Sequence, residues 1–90
     1  MDITEFIDSK QVKLKELEEN FTLVKRIDID INEHKKECIN CGNGKNQYKI
    51  PSEPWSSLIY CTYCERLIFS IYADRMSGAT TDTILIYRNK

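Results

Sequence analysis

The chain's hydrophobic periodicity predicts an α+β fold, an N-terminal helix followed by a small antiparallel β-sheet. Apolar residues recur at three- and four-residue spacing up to about residue 20, then at alternate positions from Phe21. All four cysteines fall in two close pairs, "CINCG" at 38–42 and "CTYCE" at 61–65, a spacing that points to one bound metal ion. Ninety residues make one domain, 1–90, whose core is small enough to gain from a staple. Its parts are expected at 1–20 (helix), 21–32 (strand) and 33–90 (the cysteine-bearing sheet with a C-terminal hairpin).

Asp2 can cap the helix and Glu5 can complete a capping box, while Ile3, Ile7, Leu14, Leu17 and Phe21 share one face, interrupted by Lys10. The stripe is under three heptads long. Packing on its own domain is therefore expected ahead of pairing with another helix. The helix ends somewhere between Asn20 and Lys25. Phe21, Leu23, Ile27, Ile29 and Ile31 then alternate with Thr22, Arg26, Asp28, Asp30 and Asn32, the pattern of a half-buried strand whose inner face Lys25 breaks.

"NEHKKE" leads to the first cysteine pair, and "GNGKN" turns the chain after it. "QYKI" is a short strand ended by Pro51, and "PSEPWSS" an irregular connection that its prolines keep from being helical. "LIY", "RLIFSIYA" and "DTILIYR" complete a β-meander, with "DRMSGATT" as the last turn.

Cys38, Cys41, Cys61 and Cys64 carry the chemistry. Two residues between cysteines let a tight turn aim both sulfurs at one point, and 19 residues between the pairs lie within the spacing of a structural zinc site. One zinc per chain is expected. Four thiolates leave no open coordination position, so the metal would be structural. "MDITEFIDSK" lacks the apolar segment of a signal peptide, and the longest apolar runs fall far short of a membrane span. A cytoplasmic setting is expected, where thiols stay reduced and favour metal over disulfides.

With short strands flanking both pairs, residues 36–88 resemble a zinc ribbon, in which two CxxC hairpins clamp zinc at one end of a small antiparallel sheet. The resemblance implies the ligands and not a partner, since zinc ribbons occur in transcription factors, polymerase subunits, ribosomal proteins and small regulators. Glu65 departs from it, standing where a glycine often takes a left-handed conformation. Rubredoxins pair cysteines similarly around iron, but "CTYCE" lacks the proline and glycine of their usual "CPxCG".

No catalytic constellation accompanies the metal site. His34 is the single histidine and reads as a surplus, solvent-exposed loop residue; "GNG" lacks the lysine of a phosphate loop. Asp28 and Asp30 read as a solvated strand face. The chain is expected not to be an enzyme and to take no small-molecule substrate.

Two binding readings remain. Residues 1–33 carry five basic and nine acidic groups and residues 34–90 eight basic and five acidic, an imbalance too slight for a strongly nucleic-acid-binding domain. A protein partner, with the chain as a small regulator or inhibitor of a larger machine, is expected ahead of a nucleic-acid-binding ribbon. Trp55 and Tyr63 are the best exposed aromatic candidates, beside Lys45, Lys49 and Arg66. Tyr60 and Tyr72 lie in strand segments and are expected in the core or partly in it. Trp55 is expected to fold back as a lid on that core, the alternative being that it projects toward a partner.

Overall fold

The computed structural model describes residues 14–89 apart from 35, 46 and 53. The capping residues Asp2 and Glu5 and the helical positions Ile3, Ile7 and Lys10 lie outside the described residues. A short helix α1, Leu14–Asn20, runs directly into strand β1, Phe21–Asp30. Four more strands follow: β2 Gln47–Ile50, β3 Ser56–Cys61, β4 Arg66–Ile71 and β5 Thr81–Asn89. They form one antiparallel sheet in the order β1-β5-β4-β3-β2. The chain is mostly β, and an α+β description fits only loosely, because the helix is short.

The meander of β2 to β5 follows from three reversals between sequence neighbours, whereas β1 docks on β5, the last strand. Each face carries its own apolar cluster. Leu58, Tyr60, Leu67, Phe69 and Tyr87 project to one face, where Ile50, Phe21 and Leu17 of α1 join them. Ile68, Ile84 and Ile86 project to the other with Cys38 and Cys61, and Ile27 and Ile29 pack against them. Leu17 is fully buried, so α1 covers its own domain.

One residue distributes β1 between the two faces. Leu23 stands opposite Tyr87 and Lys25 opposite Ile86, which leaves Val24 as the extra residue of a β-bulge. Without it, Phe21, Leu23, Ile27 and Ile29 would share a face, as simple alternation predicts. The bulge instead sends Phe21 into the helix-covered cluster and Ile27 and Ile29 into the cysteine-side cluster. It also keeps α1 over its own face.

The order of strands obliges residues 31–37 to recross the sheet. β1 ends opposite Thr81, at the end of β5 away from the cysteines, yet Cys38 must reach Cys61 at the other end. This segment lies as a strap across the cysteine side of the sheet. It begins with the amide of Ile31 donating to the Thr80 carbonyl at 3.0 Å and that of Glu33 to Asp30 at 2.9 Å. Between strap and sheet runs a groove of about 1110 Å³ floored by Ile59, Ile68 and Ile84. No helix among the described residues is long and apolar enough to cross a membrane.

Two further expectations are corrected. Ser56 and Ser57 belong to β3, because the irregular connection ends at Trp55. Tyr72 lies just beyond β4 and stays 39% exposed, whereas Tyr60 is buried as expected.

Deleting Val24 removes the extra residue and leaves every other β1–β5 pair on its present face, so it is expected to keep Phe21 in its cluster and cost under about 1 kcal/mol. Val24→Ala, at a half-exposed site, should cost under about 1 kcal/mol. Denaturant unfolding of the two variants checks this; a loss of about 3 to 5 kcal/mol in the deletion, the scale of losing a core phenylalanine, would contradict the role assigned to the bulge.

Candidate metal centre

Each cysteine pair occupies a tight turn of the same design. In the first, the Cys38 amide donates to the Asn43 carbonyl at 2.9 Å and the Gly42 amide to the Cys38 carbonyl at 2.7 Å. Backbone amides of Asn40 and Cys41 point at the Cys38 sulfur, as those of Tyr63 and Cys64 point at Cys61. Such donors stabilise thiolate charge. The second turn joins β3 to β4, and the Arg66 guanidinium braces it by donating to the Cys64 and Glu65 carbonyls, both at 3.3 Å.

Both turns need left-handed backbone at their last residue. Gly42 takes φ 80 and Glu65 φ 56. Glu65 therefore adopts the conformation that glycine would, and the second turn keeps its shape against a steric cost of about 1 to 2 kcal/mol.

All four sulfurs lie within 4.8 Å of one another. Cys38 and Cys64 are 3.8 Å apart, and Cys41 and Cys61 3.7 Å. Those separations are too long for disulfides and the cysteines are free. They match the edge of a sulfur tetrahedron: a metal–sulfur distance of about 2.3 Å implies neighbours about 3.8 Å apart. The residues thus fit one metal ion, with Cys38 and Cys61 buried and Cys41 reaching the surface.

Proton affinities show what the metal would replace. Burial pushes the Cys38 thiol up to about 12, against the amides of Cys41 and Asn40. Burial also raises Cys64, while at Cys61 the amides of Cys64 and Tyr63 outweigh burial and lower it. A divalent cation would displace the remaining protons, so its binding strengthens as pH rises.

His34 takes no part in the cluster. Its Nε2 lies 2.6 Å from a carboxylate oxygen of Asp82, whose side chain is fully buried. The ring is one-third exposed and packs edge-on to Tyr72, so it is tethered rather than simply solvated. Asp82 also accepts the Ala73 amide at 2.9 Å. Sequence reasoning missed Asp82, although the signal was present: it shares the parity of Ile84 and Ile86 and so falls on an inward position of β5.

The interface candidates do not form one surface. Tyr63 is 68% exposed at the tip of the second turn, with Lys45 and Arg66 at the same end of the sheet and exposed Lys49 on β2. Trp55 lies at the opposite end of β3, beside Tyr72, whose amide donates to the Trp55 carbonyl at 2.9 Å. At 57% exposed, Trp55 is no lid on the core. No family model matches the chain, and no curated protein or solved structure is significantly similar to it.

Two outcomes test the local analysis. Glu65→Gly should gain about 0.5 to 1 kcal/mol by relieving the left-handed strain, and Gly42→Ala should lose about 1 to 2 kcal/mol although its Cβ would meet open space. Thermal unfolding of the metal-loaded variants measures both. Asp82→Ala should cost about 1 to 3 kcal/mol by stranding the Ala73 amide, Asp82→Asn clearly less, and His34→Ala should leave metal content unchanged; loss of metal in the histidine variant would make it a ligand.

Proposed function

We propose that the chain is a non-catalytic zinc-ribbon protein that works as a small protein-interaction module in the cytoplasm, a regulator or inhibitor of a larger assembly. Zinc is the metal that best suits four thiolates in a tetrahedron and a purely structural duty. Four ligands from the chain leave no position for water or substrate, so the ion's role is to hold the two turns and the strap together.

The observation that carries the reading is the exposed apolar group at the end of the sheet away from the cysteines. Trp55 is 57% exposed and Tyr72 39%; Met76, in the short 3-10 turn Arg75–Ser77 that follows Tyr72, is 96% exposed. Tryptophan and tyrosine supply large rigid contact area and are favoured anchors of protein interfaces, and methionine adapts to varied partners. The cysteine end serves nucleic acid less well. Its cations are few, Arg66 is engaged with backbone carbonyls, and exposed Glu37 and Glu65 lie among them.

Metal analysis should give one zinc per chain, and Cys64→Ser should unfold the sheet, since binding energy in such small sites is folding energy. A Trp55→Ala, Met76→Ala double variant should melt within a few degrees of the parent yet lose at least about tenfold in affinity for the protein partner captured by the parent. Iron or no metal in the purified protein would overturn the zinc assignment. Salt-sensitive binding to RNA or DNA, weakened by Lys45→Ala and Tyr63→Ala and not by the double variant, would replace the protein partner with nucleic acid.

A further inference from the structure

We propose that the outer edge of β1 pairs with the same edge of a second copy of this chain, joining two five-stranded sheets antiparallel about Ile27. The backbone sets the geometry. The Ile31 amide donates to the carbonyl of Thr80, just before β5, so along β1 the odd-numbered residues Ile29, Ile27 and Lys25 turn their peptide groups toward β5. The even-numbered residues Arg26 and Asp28 turn theirs outward. Among the described residues no strand lies on that side.

Outward-facing peptide groups pair only with outward-facing ones, so an even-numbered residue must oppose an even-numbered residue of the second copy. Centring the two-fold axis on Ile27 places Arg26 opposite Asp28 and Asp28 opposite Arg26. Sliding by one step either way brings Asp28 against Asp28 or Arg26 against Arg26, which cross-strand repulsion disfavours. The same centring sets Ile27 against Ile27 and Lys25 against Ile29 on the other face. One register is therefore selected by charge, and the partner it fits is the chain itself.

Both side chains reach the surface, although Asp28 also accepts the Thr83 hydroxyl of β5 at 3.3 Å. Arg26 and Asp28 are 65% and 56% exposed and sit 3.8 Å apart along their own strand. In the pair they would form a square of four alternating charges. Leu23 and Val24, each 50% exposed, would extend the contact past the bulge toward Ile31 of the second copy. A single strand pair buries less than the roughly 1,000 Å² of a durable interface, so the dimer should be reversible, with Kd on the order of 0.1 mM. This surface is distinct from the Trp55 end.

Sedimentation equilibrium of the zinc-loaded chain up to about 0.5 mM should show the mass rising from 10.6 kDa toward twice that value. Arg26→Asp or Asp28→Arg, each placing two like-charged pairs in the dimer, should weaken association at least about tenfold. Mixing the two variants restores every complementary pair and should return parent-like association. Hydrogen exchange on the parent should show the Arg26 and Asp28 amides gaining protection with concentration while Ile27 and Ile29 do not change. A mass fixed at 10.6 kDa over that range, variants that associate as well as the parent, a mixture that stays monomeric, or concentration-independent exchange at Arg26 and Asp28 would each overturn the proposal.

Discussion

The chain must pass from the far end of β1 back to the cysteine end of the sheet, and the connecting strap is held at both ends. At the far end Asp82, fully buried, holds His34 at 2.6 Å; at the near end Cys38 enters the four-sulfur cluster. The two anchors differ in kind. The first is a hydrogen-bonded pair sheltered beneath the loop, stable only while its buried oxygens keep their donors. The second brings loop sulfurs against those of the β3–β4 turn, where a shared ion would turn a loop-closure cost into a local link.

Both anchors act on the same face of the sheet, and this explains why a 90-residue chain can afford two apolar clusters. The face under α1 is closed by Leu17 and the aromatic residues of β3 to β5. The other has only isoleucines and the strap, which stands off far enough to leave a groove. A metal bound by the four sulfurs would fix the strap's near end over Ile68, Ile84 and Ile86.

The apolar positions of β2, β4 and β5 were legible because strand periodicity is a local property: alternation reports burial wherever the partner strands lie. The cysteine cluster was legible for a related reason, since CxxC fixes two ligands per turn before any tertiary contact forms. Asp82 was readable in principle from its parity with Ile84, but a single acidic residue at a strand's start also reads as a turn. The exposure of Trp55 was not readable at all, because it depends on which element covers the core.

By itself the sequence determined the strands of the meander, the four convergent sulfurs and the left-handed site that Glu65 must fill, all consequences of residue type over short spans. Tertiary structure decided the rest. β1 reads as one alternating run, yet a single unpaired residue at Val24 divides it between two faces, and only its register against β5 reveals this. That β1 lies at an edge, with Arg26 and Asp28 facing outward, follows from strand order. Strand order is set by which distant surfaces bury the most apolar area, and no local pattern encodes that choice.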